Sequence, residues 1–169
     1  MHWLSDSSPF CYFPEYFNPS LKPVDFDVNV EKYMGDWFEQ ARKPTRFQVG
    51  CVDTKAHYEL KPDKSVSVTN ECITKSGAIR KVTGFANSTR PSNSTLKVYF
   101  NKYVGGSYWI LHVDPEYQWA VVGEPCRKMS WVLSRNKDVP REKVVEMIQK
   151  LKNKGFDTSD MIFRGESDM

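Results

Sequence analysis

The sequence lacks any uninterrupted apolar run of about 18 residues, so no membrane-spanning helix is predicted. Low-complexity tracts and internal repeats are also absent. Its 24 basic and 21 acidic residues are spread along the chain and leave a net charge of +3, with no clustered basic stretch. Nucleic acid is therefore not expected as a partner. Residues 1–4 show neither a basic region nor an apolar core, so no signal peptide is recognised, and the chain is either cytosolic or a start codon has replaced its leader.

Cysteine is scarce but even in number, and no two cysteines form a C-x-x-C pair. A zinc site is therefore not expected, and no metal site is predicted. Two glycosylation acceptors, Asn87 and Asn93, lie in a stretch rich in Ser, Thr, Asn and Pro between two strand patterns. Together with the cysteines they favour a secreted protein in an oxidising compartment, although a cytoplasmic location stays open. The four cysteines are Cys11, Cys51, Cys72 and Cys126.

Between Met34 and Arg135 the sequence consists of short alternating segments separated by turn residues. Residues 51–60, for example, place apolar and polar side chains on opposite faces. Eight strands at roughly ten-residue spacing predict an all-β fold, either an up-and-down barrel or a sandwich.

One helix, at about 139–154, follows the strands. Asp138 is its candidate N-cap, Gly155 ends it, and an apolar stripe runs along one face (Val144, Ile148 and Leu151). Strands, a late helix and a short return strand fit an eight-stranded antiparallel barrel with the helix packed outside. The predicted organisation is an irregular strap over 1–23, a barrel domain over 24–165 and a tail over 166–169.

Three motifs resemble those of the lipocalin family. Residues 33–38 (YMGDWF) resemble its Gly-x-Trp signature, residues 114–117 (DPEY) resemble the turn between its sixth and seventh strands, and residues 131–135 (WVLSR) resemble its third motif. Their order and separations make the signal specific. The resemblance covers about residues 24–165 and is strongest to the branch of apolipoprotein D, bacterial lipocalin and temperature-induced plant lipocalins. It implies the barrel fold and a carrier of small hydrophobic molecules.

The motif residues Gly35, Trp37, Asp114, Tyr117 and Arg135 are interpreted as structural. In the family the motif arginine packs across the motif tryptophan, and such a cation–π pair contributes about 0.5–2 kcal/mol. A carboxylate clamp at Arg135 is the functional alternative. Asp114 and Tyr117 could suggest acid–base catalysis, but turn residues more commonly bond their own backbone. No catalytic residue is predicted, and the chain is not expected to be an enzyme.

An eight-stranded barrel is just wide enough to hold one small ligand. An apolar and aromatic lining suits a fatty acid or lysolipid, a retinoid, a sterol-like molecule or a tetrapyrrole such as biliverdin, with no cofactor required. The alternative is that these side chains simply fill the core. The alternation places eleven candidate ligand-binding residues inside: Phe47, Tyr58, Val68, Asn70, Val82, Val98, Phe100, Tyr108, Ile110, Met129 and Trp131.

The resemblance to apolipoprotein D-like chains implies a Cys11–Cys126 disulfide. Cys51 and Cys72 are the remaining pair, but alternation places them on opposite faces, so they could bridge only if a bulge shifted one of them. If Cys72 were instead a free inward thiol, a lipocalin-type enzyme or a covalent pigment binder would be the alternative function.

The aromatic stretch at residues 9–17 is expected to cover the barrel. It could instead mediate a homodimer or a peripheral membrane or lipoprotein contact, so both a monomer and a weak homodimer stay open.

Overall fold

A computed structural model describes residues 20–100 and 106–168. Most of the predicted strap, with Cys11, lies outside these residues. No helix among those described is long and apolar enough to cross a membrane. The elements are α1 (Val30–Tyr33), β1 (Gly35–Arg42), β2 (Cys51–Leu60), β3 (Val66–Thr74), β4 (Ile79–Ser88), β5 (Thr95–Phe100), β6 (Gly106–Val113), β7 (Trp119–Gly123), β8 (Ser130–Ser134), α2 (Arg141–Asn153) and β9 (Ile162–Phe163).

Strands β1 to β8 form a closed antiparallel up-and-down barrel, which confirms the predicted fold. Each strand pairs with the next along the chain, and β1 pairs with both β2 and β8, so the sheet has no open edge there. The short β9 pairs with the end of β1, and the Gly165 amide donates to the Val52 carbonyl. The C-terminal segment thereby bridges β1 and β2.

Alternation along the strands separates two apolar clusters. Val122 and Leu133 face the barrel interior, whereas their neighbours Val121 and Val132 pack outward against α2. The side of α2 that faces the barrel includes Leu151, which is fully buried. Burial of a side chain of this size contributes about 2 kcal/mol, so packing on the barrel accounts for much of the stability of α2.

The start of α2 differs from the sequence prediction. Pro140, not Asp138, occupies the N-cap position, and no side chain caps the helix there. Proline supplies the extended backbone conformation of an N-cap without a capping hydrogen bond. The end agrees with the prediction, since Gly155 follows the helix with a φ of +90°, a conformation that glycine adopts without strain.

The two ends of the barrel differ. The plug end carries α1 and the turns at 61–65, 89–94 and 114–118. The far end carries the loops at 43–50, 75–78 and 124–129.

Candidate functional site

One arginine connects several segments of the chain at the plug end. The Cζ atom of Arg135 lies 3.8 Å from the ring centroid of Trp37, which is fully buried. The guanidinium donates to the carbonyls of Tyr117 at 3.0 Å, Asp36 at 2.8 Å and Lys32 at 2.7 Å. These bonds engage each of the three guanidinium nitrogens with backbone, so Arg135 connects the segments at the plug end.

Asp114 organises its own turn. Its carboxylate accepts from the amides of Gln118 at 2.8 Å and Trp119 at 2.6 Å. The hydroxyl of Tyr117 accepts from the Asn29 amide at 2.8 Å, which attaches the segment before α1 to this turn. Both residues therefore have structural partners.

A cavity of about 570 Å³ lies inside the barrel toward the plug end. Five of the predicted ligand-binding residues line it: Tyr58, Val68, Val98, Tyr108 and Ile110. Further apolar lining comes from residues outside the predicted set: Val28, Val30, Met34, Leu60, Val66, Ala86 and Leu96. Residues 28–34 were missed because they precede the first strand, where alternation gives no signal.

Three tyrosines supply polar groups deep inside this lining, whereas its other polar side chains lie nearer the surface. The Tyr108 hydroxyl lies 2.8 Å from that of Tyr33 and 3.1 Å from that of Tyr58. Three hydroxyls carry three protons, and the two bonds between them use two. One O–H therefore remains to donate to an oxygen acceptor on a ligand.

Burial keeps these hydroxyls neutral. Desolvation raises the pKa of Tyr58 to about 12, and it raises the pKa values of Tyr33 and Tyr108 further above the usual tyrosine value. The hydrogen bonds from Tyr108 partly oppose this rise at Tyr33 and Tyr58. The cluster is thus an uncharged donor at neutral pH.

The far half of the interior contains a charged pair that sequence reasoning missed. Glu39 pairs with Leu133 and Arg42 with Trp131, and a register shift lies between Glu39 and Ala41. Glu39 faces the interior by alternation from Trp37, and this bulge turns Arg42 to the same side. Because alternate residues of a strand share a face, the inward position of Trp37 could have identified Glu39 as an interior residue. No local sequence signal reveals the bulge that brings Arg42 inside.

Gln48 joins this pair to the loop at 43–50. Its amide nitrogen donates to both carboxylate oxygens of Glu39, at 2.9 and 3.1 Å, and its carbonyl oxygen accepts from the Trp131 indole at 3.0 Å. Burial raises the pKa of Glu39 to about 7, against the lowering effect of Gln48 and Arg42. This carboxyl therefore titrates near physiological pH.

The other predicted ligand-binding residues lie apart from the cavity. Phe47 belongs to the loop at 43–50 and is 42% exposed, so it does not line the cavity. Asn70 and Val82 pair with each other across β3 and β4, and Val82 is 49% exposed. Met129 precedes β8, where the chain is not yet a strand. Phe100 and Trp131 pack against the inner cluster beyond the cavity lining.

Cys51 and Cys72 form a disulfide. The bulge that this disulfide requires is present as a register shift between Cys51 and Asp53. The shift pairs Cys51 with Thr74, which lies on the same face of β3 as Cys72, so the two cysteines share a face. The alternative of a free Cys72 thiol, with the enzyme or pigment chemistry built on it, is therefore wrong. Cys126 is also disulfide-bonded, while Cys11, its predicted partner, lies outside the described residues.

Sequence comparisons agree with this architecture. A family model described as a lipocalin-like domain matches residues 28–166. Temperature-induced lipocalin-1 of Arabidopsis thaliana is 36% identical over 151 residues, covering 83% of this chain and 81% of the relative. Outer membrane lipoprotein Blc of Vibrio cholerae is 34% identical, covering 85% of each chain. Apolipoprotein D of Cavia porcellus is 28% identical, covering 82% of this chain and 77% of its own.

Among solved structures, insecticyanin from the tobacco hornworm Manduca sexta shares the fold, with a TM-score of 0.70 at 21% identity. The match covers 89% of this chain and 87% of insecticyanin. Together, the closed barrel, the arginine-covered tryptophan and the family match over residues 28–166 show that the chain belongs to the lipocalin family, whose members bind small hydrophobic ligands.

Proposed function

We propose that the protein carries one small apolar ligand with an oxygen acceptor and does not transform it. The observation that supports this most strongly is the 570 Å³ cavity, whose largely apolar lining includes a three-tyrosine cluster with one unused donor. Sites for small ligands typically combine about 300–1,000 Å³ of apolar space with a few placed polar groups. The cavity fits that description.

The lining restricts the chemistry of the ligand. The tyrosine cluster is neutral, so it suits a carbonyl, hydroxyl or carboxyl oxygen on an otherwise apolar body. A fatty acid or lysolipid, a retinoid, a sterol-like molecule and a tetrapyrrole such as biliverdin all share this chemistry. Within the described residues the cavity lining includes one basic side chain, that of Lys64, which is exposed at its surface.

Ligand titration tests the proposal. We expect cis-parinaric acid to bind one to one, and retinol or biliverdin to compete with it without being turned over. Ala86→Phe fills the cavity from a buried lining position, and we expect it to weaken binding at least tenfold. Ala78→Phe, in the exposed turn between β3 and β4, is the matched control.

If Ala86→Phe fails to fold, Val98→Trp makes the same test from a half-buried lining position. Unchanged affinity in a folded variant with a filled cavity would overturn the proposal. Consumption of the probe would instead reveal an enzyme.

We further propose that the protein is secreted and glycosylated at Asn87. That side chain is exposed on β4, opposite Lys97. The second acceptor, Asn93, is half-buried, and its carbonyl oxygen accepts from Ser88 Oγ at 2.6 Å. We expect secreted material to lose the mass of a glycan on endoglycosidase treatment, and Asn87→Gln to abolish that loss. A parent protein without glycan would refute this proposal.

A further inference from the structure

We infer that the first N-acetylglucosamine of a glycan at Asn87 packs on the ring of Phe85, so that the sugar becomes part of the outer surface of the barrel. This inference rests on the proposed glycosylation of Asn87 and adds the protein surface that receives the sugar. It concerns the outside of β4 and β5 and does not depend on the ligand in the cavity.

Phe85 and Asn87 lie on the same outer face of β4. Ala86, between them, is buried in the inner apolar cluster, whereas both of its neighbours are exposed. Two such residues on one face of a strand are about 7 Å apart along it. A sugar attached to the side-chain nitrogen of Asn87 therefore begins next to the Phe85 ring.

The Phe85 ring is exposed and yet held in place. Its centroid lies 5.0 Å from that of Tyr99, its partner across β4 and β5, with 20° between the ring planes. Tyr99 covers one face of the ring, and the side chain is still 39% exposed. Its partner on β3 is Ser67, which is too small to cover the other face. Because the stacking already restricts the ring, a sugar that packs on it costs little further side-chain entropy.

The chemistry of the two partners matches. A pyranose ring presents C–H groups on its apolar face, and these carry partial positive charge that the negative face of an aromatic ring attracts. Their contact also removes apolar surface from water. Among the described elements, α2 packs on β7, β8 and β1, whereas the outer side of β4 around Phe85 remains exposed and free to receive the sugar.

The second acceptor lacks this arrangement. The residue two positions before Asn93 is Pro91, which offers no aromatic ring. Asn93 also lies in the turn at 89–94, with a φ of +58°, and not on a strand where alternate side chains share a face. The contact is therefore specific to a glycan at Asn87.

Comparison of the protein with and without the sugar, and with and without the ring, tests the contact. All variants carry Asn93→Gln, so that Asn87 is the remaining N-x-S/T acceptor. The full chain is secreted from cells that make only high-mannose glycans, and endoglycosidase H trims the glycan to one N-acetylglucosamine. Asn87→Gln gives the form without sugar. Thermal unfolding is then measured for both forms of the parent, of Phe85→Ala and of Phe47→Ala, which removes a similarly exposed ring at the far end.

We expect the single sugar to raise the Tm by about 2 °C or more when Phe85 is present, and by less than about 0.5 °C in Phe85→Ala. In Phe47→Ala the sugar should stabilise the protein as it does in the parent. Phe85→Tyr keeps the ring and should keep the effect. NMR gives a readout that does not depend on stability, because the ring current of Phe85 should shift C–H protons of the sugar upfield in the parent and not in Phe85→Ala.

If Phe85→Ala does not fold, Phe85→Leu makes the same test, because leucine keeps apolar volume without a ring. A sugar that stabilises the protein equally with and without Phe85, or in neither case, would overturn the contact and leave the glycosylation of Asn87 intact. A parent protein with no sugar at Asn87 would refute the proposed glycosylation, and the contact with it.

Discussion

The guanidinium of Arg135 lies over the indole of Trp37, with Cζ 3.8 Å from the ring centroid, and at the same time connects the carbonyls of Lys32, Asp36 and Tyr117. One side chain therefore joins the segment around α1, the start of β1 and the turn before β7. A lysine offers one nitrogen where arginine offers a planar fork, so it cannot reproduce this set of contacts.

Arg135→Lys is expected to lower the free energy of unfolding by about 2 kcal/mol, because carbonyls at the plug lose charged donors. Urea denaturation measures the loss. The control is Arg90→Lys, which alters an exposed arginine 5.2 Å from the Trp109 ring and should change stability by less than about 0.5 kcal/mol. Equal losses in the two variants would show that the contacts of Arg135 contribute no more to the free energy of unfolding than those of an exposed arginine.

Glu39 should make stability depend on pH. Its pKa is about 7 in the folded protein against 4.5 in the unfolded chain, so the folded state retains a proton that the unfolded state releases. Stability contributed by this group is then full below pH 4.5, falls as pH rises through this window and reaches its minimum above pH 7, with a total change of at most about 3 kcal/mol.

Glu39→Gln should remove the pH-dependent stability that Glu39 contributes. Urea denaturation midpoints measured between pH 4.5 and 8 test this expectation. His57 has a raised pKa because of its hydrogen bonds to Glu59 and Asp36, so its contribution is also lost as pH rises. The informative quantity is therefore the difference between the variant and the parent. Glu71→Gln, on β3, is the control, and identical pH profiles for the parent and Glu39→Gln would contradict the prediction.

The Cys51–Cys72 disulfide closes a loop with a sequence separation of 21. Replacing both cysteines by alanine should lower the free energy of unfolding by about 3 kcal/mol, since the unfolded chain regains the entropy of that loop. Urea denaturation with and without reductant measures the effect. Parent and double variant should differ less in reductant, and a double variant as stable as the oxidised parent would refute the estimate.

Tyr108→Phe should destabilise the protein more than Tyr99→Phe. The Tyr108 hydroxyl bonds both Tyr33 and Tyr58 inside the barrel, so its loss leaves two buried hydroxyls without these bonds, at a cost of about 2 kcal/mol or more. Tyr99 stacks on Phe85 at 5.0 Å across β4 and β5, and the removal of its hydroxyl should be nearly neutral. Thermal unfolding of the two variants gives the comparison, and equal shifts would contradict the role of Tyr108 as the centre of the cluster.

Alternation and turn residues were sufficient to predict the strands, the late helix and, through the motifs, the closed barrel. They failed at the bulges, because one extra residue reverses the face of every later side chain in the strand without changing the local composition. Cys51 was assigned to the wrong face for this reason, and Arg42 was not identified as an interior residue at all. Two of the three tyrosines in the cluster were predicted, because Tyr58 and Tyr108 lie on strands. Tyr33 was missed because it comes from α1, whose position over the barrel depends on tertiary packing.

The bulge in β1 also determines which charged side chains lie together inside the far half of the barrel. Strict alternation would leave Glu39 as a solitary acid inside the barrel, with Arg42 outside. The bulge places Arg42 beside it, while Asp168 lies 3.3 Å from the same guanidinium. Glu39, Arg42 and Asp168 together carry one net negative charge when Glu39 is ionised and none once pH falls below its pKa of about 7. The net charge of this enclosed cluster therefore changes by one unit between neutral and mildly acidic solution, a change that would not arise if Arg42 and Glu39 were both exposed to solvent.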